Sequence, residues 1–387
     1  RMKARRGADP ASRLAHTTGA ALALLAVPVL LDTTWVTIGW TLLAGVLMVS
    51  GLRERDFWQR LTGLAVMAIG IFRVTFLDNP ASSGGIRNFQ PLLNGEFLAG
   101  LVALALMGWT FWAYHHYEDR LRDGERKWRS SFLVVSVVVL VWKLSVEMIG
   151  FFEWRERVRG VEAEPNQWLW LLLLWTVCGL AIVLSGIRTR YLALRRPGYA
   201  VLGVALLGTV GTSLALGVDL VQTYRPVFNL PFLQGTVLAA TLMVLAWRVK
   251  ASAADLGRSE RGLATPLLVT AILLFFVKVS LEVLAYFKLG SVGPTANLVL
   301  KSQLTLSMVW GLYAGAVIAI GFARHFKPVR VLGMSLLGLT VLKVFLVDMQ
   351  SLARGYRIAA FVALGVLLLA VSLLYQRERR AELENDA

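Results

Sequence analysis

Twelve apolar runs of roughly bilayer length decide what this chain can fold into: 14–31, 35–52, 57–77, 97–114, 131–152, 168–187, 198–218, 230–249, 263–287, 298–322, 329–347 and 356–375. A helix needs ~20 residues to cross a hydrocarbon core. No water reaches that core to satisfy backbone N–H and C=O groups, so a crossing segment is either a helix or part of a closed barrel. These runs are long and lack period-two alternation, which selects helix. The expected fold class is all-α, a polytopic membrane helix bundle of about 12 transmembrane helices.

Composition agrees, because hydrophobic residues make up 57% of the chain and charged residues only 17%, against about a quarter charged in soluble domains. The single cysteine, Cys178, lies in an apolar run and gives neither a disulfide framework nor a cysteine metal site. His16, His115, His116 and His325 do not share one apolar face at ligand spacing. No metal or cofactor is expected. Arg1 ahead of Met2, with no cleavable signal pattern, suggests an excised or processed chain.

The net charge of +16 would suit nucleic acid if it formed a patch, but it follows the loops instead. Loops 1–13, 53–60, 115–130, 188–197, 248–262, 323–330 and the tail after Tyr375 carry 27 Lys and Arg. The alternate loops, 32–34, 78–96, 153–167, 219–229, 288–297 and 348–357, carry 8. Basic short loops stay cytoplasmic, so both termini are predicted there. Topology and anionic lipid account for the charge, and no nucleic-acid partner is expected.

An internal repeat is written into the sequence. Trp40, Trp175 and Trp310 stand at equal intervals, a 135-residue period, each followed eleven positions later by Gly51, Gly186 and Gly321, and then by Arg53, Arg188 and Arg324. Lys143-Leu-Ser-Val-Glu147 and Lys278-Val-Ser-Leu-Glu282 keep the same offset, leading to Phe151-Phe152 and Tyr286-Phe287. Gly63, Arg73 and Asp78 return as Gly333, Lys343 and Asp348, with Gly203, Ser213 and Val218 read as the middle copy. Phe97-x-x-Gly100 returns as Phe232-x-x-Gly235, and more loosely as Phe361 and Gly365. A four-span unit ends on the side where it began, so the copies are parallel, three four-helix repeats rather than the inverted pairs common in transporters. The expected segments are a basic N-terminus 1–13, repeats 14–120, 121–255 and 256–376, and a charged tail 377–387. Packing explains the recurring Trp and Gly, and each Gly precedes a basic loop where a helix stop is expected.

Ionisable groups inside spans cost ~2.5–3.5 kcal/mol each on insertion scales, which makes them candidates for function. They are Arg73, Lys143, Glu147, Lys278, Glu282, Lys301, Lys343 and Asp348, with Asp78 and Asp219 at helix ends. The four-residue spacing lets Lys143 neutralise Glu147, and Lys278 neutralise Glu282, within one helix. Arg73 and Asp78 are five apart, about 140° round a helix, and are expected to bond to other helices. Either these charges dock helices together, or they line a noncytoplasmic polar cavity that binds an anionic lipid headgroup or small anionic solute. No His-Glu-x-x-His, Walker loop, Rossmann fingerprint or nucleophile elbow is present, and no catalytic residue is assigned. A transferase acting on lipid-linked substrate would have to use Asp32, Glu147 or Glu282.

The stretch from Arg330 through Leu-Gly-Met-Ser-Leu-Leu-Gly to Lys343 and Asp348, followed by Gly355-Tyr-Arg357 and Phe361 to Tyr375, resembles the uncharacterised bacterial membrane proteins grouped as domain of unknown function 2339. The pattern is most specific over 330–376, is similar over 20–120, and is compositional elsewhere. The resemblance implies a multi-pass protein of the bacterial cytoplasmic membrane and supplies no activity. Members are typically longer, with more spans, so this chain reads as a fragment or a shortened relative. The sequence therefore supports three readings: a binder or carrier of anionic lipid or solute, a structural scaffold, and a membrane transferase.

Overall fold

A computed structural model describes residues 10–31, 33–78, 89–160, 166–215, 225–290 and 298–348, together with 362, 365, 366, 369 and 372. Among these residues regular structure is helical: α1 (Pro10–Leu30), α2 (Thr33–Arg53), α3 (Phe57–Phe76), α4 (Gly95–His116), the one-turn α5 (Asp123–Arg126), α6 (Arg129–Arg159), α7 (Gln167–Arg188), α8 (Leu192–Ala215), α9 (Leu230–Ala251), the one-turn α10 (Arg258–Arg261), α11 (Ala264–Ala285), α12 (Leu298–Ala323) and α13 (Lys327–Lys343).

Nine of the described helical segments are long and apolar enough to cross a membrane. They correspond to α2, α4, α6 to α9, and α11 to α13. The expected run 14–31 gives α1, whose apolar part Thr18–Leu30 is shorter. The run 57–77 gives α3, which carries Gln59, Arg60 and Arg73 among its apolar residues. The run 356–375 and the tail 377–387 lie outside the described residues, apart from isolated positions, as do Asp32 and most of 1–13.

Helix starts follow from local chemistry. Asp56 accepts the Trp58 N–H at the head of α3 (3.1 Å), and Asn94 and Asn229 accept the Phe97 and Phe232 N–H at the heads of α4 and α9 (2.7 and 2.9 Å). Such caps replace bonds that the first turn cannot make for itself. Within the spans, hydroxyls fold back on their own helix: Thr41 donates to Thr37 O, Thr110 to Leu106 O and Thr176 to Leu172 O. Each polar group is thereby satisfied without a neighbour.

The chain divides into two compact units, 1–204 and 205–387. In the first, α2 packs on α3 and α4, and α4 on α6, around Met48, Met67, Met107, Tyr114 and Phe132. In the second, α11 packs on α9 and α12, and α12 on α13, around Phe276, Ala314, Ile318, Leu336 and Leu337. Large apolar side chains such as Leu207, Phe228, Met308 and Leu312 are exposed, as lipid-facing surfaces require.

Backbone conformation recurs at the interval seen in the sequence. Arg55, Arg190 and His325 occupy equivalent places in the repeat and all have positive φ (57°, 61° and 48°), and so do the equivalent Leu92 and Val227 (64° and 66°). Left-handed backbone is uncommon for side chains of these kinds. Its return at fixed spacing means that corresponding turns are built alike.

Candidate functional site

The Lys-x-Ser-x-Glu segments lie on α6 and α11, and each of their three polar side chains has a separate partner. Lys143 Nζ donates to the Asp78 carbonyl (3.1 Å). Ser145 Oγ accepts the Trp175 indole N–H (2.8 Å). Glu147 accepts the Leu92 N–H (3.2 Å) and the Asn94 amide, with Nδ2 2.9 Å from both carboxylate oxygens. Lys143 and Glu147 are 1% and 4% exposed. Beside the attraction between Lys143 and Glu147 within α6, both groups hydrogen-bond to residues 53 to 65 positions earlier.

In the second unit a similar set recurs, with the lysine on a side-chain hydroxyl in place of a backbone carbonyl. Lys278 Nζ donates to Ser213 Oγ (2.8 Å), Ser280 Oγ accepts from Trp310 Nε1 (2.8 Å), and Glu282 accepts from the Val227 N–H and Asn229 Nδ2 (both 2.8 Å). Leu92 and Val227 are the two left-handed residues of these turns, a conformation that aims the N–H at the carboxylate. The lysine stems run over Gly100 and Gly235, where an added Cβ would meet Lys143 Cε at 3.1 Å and Lys278 Cγ at 2.6 Å. Phe97-x-x-Gly100 and its copy thus make a cap and a lysine channel together.

Ser213 is the counterpart of Asp78 at the repeat interval, and both receive the lysine. The middle copy is therefore Gly198, Gly208 and Ser213, five positions earlier than Gly203, Ser213 and Val218. Gly198 supports the same register, since a Cβ there would meet Val183 Cγ2 of α7 at 2.7 Å, whereas Gly203 has nothing within 4 Å.

Arg73 lies 3.4 Å from Asp78 through Nε and Oδ1, with its guanidinium 5.5 Å from the Trp40 ring centre. The wide angular separation expected between the two assumed an unbroken α-helix. Here α3 ends at Phe76, and Asp78 folds back with its N–H on Arg73 O (3.0 Å). Asp78 still reaches another helix, accepting from Thr37 Oγ1 of α2 (2.6 Å). Lys343, the counterpart of Arg73 two intervals on, likewise stands over a tryptophan, Trp310, at 5.9 Å, and donates to Gln303 O and Ser307 Oγ (3.1 and 2.6 Å). Lys301 is exposed in the first turn of α12, and the Asp348 side chain lies outside the described residues.

A second set of polar groups was hidden in what read as a basic loop. Arg60 and Glu125 form a two-pronged pair, Nε to Oε1 at 2.8 Å and Nη2 to Oε2 at 2.7 Å, with both side chains 1% exposed. Arg60 Nη1 also donates to Gly51 O (3.0 Å). α2 ends at Arg53, two residues past Gly51, and a Cβ on Gly51 would meet Arg60 Cγ at 2.7 Å. The same crossing recurs at Gly186 under Arg195 Cγ (2.5 Å) and at Gly321 under Arg330 Cγ (2.7 Å). Glu260 is the counterpart of Glu125 at the repeat interval and is buried as well.

Arg73, Lys143 and Glu147 belong to the first unit, and Lys278, Glu282, Lys301 and Lys343 to the second. Three clefts of about 690, 720 and 620 Å³ are lined by none of them. His115 Nδ1 meets Arg129 Nη1 at 2.9 Å, and His116 stacks on Trp112.

A family described as predicted membrane protein, DUF2339, matches residues 1–378. The chain belongs to the DUF2339 family. The match covers residues 1–378 and not only the C-terminal segment 330–376. No curated protein and no solved structure matches the chain. With nine apolar crossing helices among the described residues, this DUF2339 member is a polytopic helical membrane protein. Its buried charges hold backbone carbonyls, backbone N–H groups and amides of their own chain, an arrangement that joins helices.

Proposed function

We propose that this DUF2339 chain is a non-catalytic scaffold of the bacterial inner membrane, in which three parallel four-helix copies (14–120, 121–255 and 256–376) are joined in series, with both termini cytoplasmic. The observation that carries this reading is the fate of the lysine and glutamate on α6 and α11. Each bonds to the helix end and turn that precede it by 53 to 65 residues, while the serine between them bonds forward to α7 or α12. A buried ionisable group engaged in this way fixes which helices dock and in what register. The excess of 27 over 8 basic residues in alternate loops supports the orientation.

A carrier or transferase built on the same residues would need Glu147 or Glu282 open to a substrate, whereas both hold a backbone N–H and an asparagine. The test is to reconstitute the wild type and a Lys143→Met, Glu147→Gln variant in nanodiscs, then measure unfolding by tryptophan fluorescence and retained small molecules by native mass spectrometry. Lower stability with no change in retained mass is expected. A variant as stable as wild type that loses a bound solute would overturn the scaffold reading.

A further inference from the structure

The second unit carries a groove of about 720 Å³ between α9, α11, α12 and the start of α13, within the ~300–1,000 Å³ of ordinary ligand sites. Its composition changes along its length. Ala246 and Ala316 leave it room, and Ile272 and Ile320 line its walls. At one end stand Lys250, in the last turn of α9, and Arg324, just past the end of α12. Both cations are exposed, and neither is paired with a carboxylate among the described residues. No carboxylate lines the groove. The nearby acids Asp255 and Glu260 sit on the α9–α11 connection, where Glu260 is buried. Lys250 Nζ is held 5.1 Å from the centre of the Phe326 ring, itself part of the lining.

An apolar trough between crossing helices, closed at helix-end depth by two uncompensated cations, complements a molecule with an alkyl body and an anionic head. We infer that this groove is a specific site for an anionic phospholipid of the surrounding bilayer, with its phosphate between Lys250 and Arg324 and an acyl chain along Ile272 and Ile320. Guanidinium and ammonium groups bind phosphate through charge-assisted hydrogen bonds. The cationic ends of α9 and α12 also lie on the side where basic loops meet the anionic leaflet. The site is separate from the buried charges above; it rests on the loop orientation proposed above and not on the scaffold role.

The experiment is native mass spectrometry of the full chain released from micelles containing equal amounts of phosphatidylglycerol and phosphatidylcholine. The wild type is expected to retain phosphatidylglycerol at least about tenfold more strongly, since two cations near a headgroup each favour an anionic lipid. Lys250→Ala with Arg324→Ala should bring that preference close to parity, and Ala316→Trp should reduce adducts of both lipids. Arg188→Ala with Arg258→Ala removes the same charge outside the groove and should keep the preference. Equal retention of the two lipids by the wild type would overturn the site, and that outcome requires no variant to fold. So would an undiminished preference in the Lys250, Arg324 variant, or an equal loss in the Arg188, Arg258 variant.

Discussion

Alanine at Gly51, Gly186 or Gly321 should destabilise the protein, whereas alanine at Gly108 or Gly203 should not. At Gly186 the new Cβ would lie 2.5 Å from Arg195 Cγ and 3.0 Å from the Arg195 backbone N; at Gly51 it would lie 2.7 Å from Arg60 Cγ and 2.9 Å from the Arg60 N. One obstacle in each case is main chain, so rotating a side chain cannot relieve it and the two helices must separate. Overpacking of this kind costs about 1–3 kcal/mol. Alanine returns about 1 kcal/mol through helix propensity, which leaves a net loss of up to about 2 kcal/mol from the two opposing effects. At Gly51 the separation also pulls Arg60 away from Glu125, which adds to the loss. Gly108 and Gly203 have nothing within 4 Å of the added carbon, so only the propensity gain operates there, and stability should be unchanged or higher by up to about 1 kcal/mol. The assay is reversible unfolding in a mixed-micelle denaturant series followed by tryptophan emission. If the Gly51 and Gly108 variants shifted together in sign and size, the close-crossing explanation of the repeated glycine would be wrong.

Arg60→Met should cost about 3–5 kcal/mol by leaving the Glu125 carboxylate buried without its partner, and Arg60→Met combined with Glu125→Leu should recover much of that loss; a double-mutant cycle in the same unfolding assay measures the coupling. Asn94→Ala removes a helix cap worth about 1 kcal/mol and a charge-assisted bond of about 1.5–3 kcal/mol, so it should destabilise more than Trp175→Phe, which forfeits one neutral bond of about 1 kcal/mol. Gly235→Ala should displace the Lys278 stem, and adding Lys278→Ala should restore stability in part; an additive result would refute the lysine-channel geometry. Lys301→Ala, on an exposed side chain, should change stability by no more than about 0.5 kcal/mol in the same measurement.

The membrane class is open to reading because it is carried by the length and spacing of apolar runs along one chain. Partners are not. The spacing of Lys143 and Glu147 shows their mutual attraction, but the bonds to Asp78 O, Leu92 N and Asn94 depend on how the helices dock. Arg60 was absorbed into a basic loop because its partner, Glu125, lies far along the chain in a polar connection. Asn94 and Asn229 were within reach: they share the repeat offset and stand three positions before the recurring phenylalanines, but asparagine near a helix start already has a local explanation. The register Gly203, Ser213 and Val218 departs by five positions from the 135-residue interval, which places the middle copy at Gly198, Gly208 and Ser213, the register that Val183 and Lys278 also select.

The serine that faces forward and the lysine and glutamate that face back give each of these helices a head and a tail. Within each unit the segment that carries them therefore ties an earlier turn to the helix that follows. A change of length between Asn94 and Glu147, or between Asn229 and Glu282, is therefore tolerated only where it leaves these bonds in place.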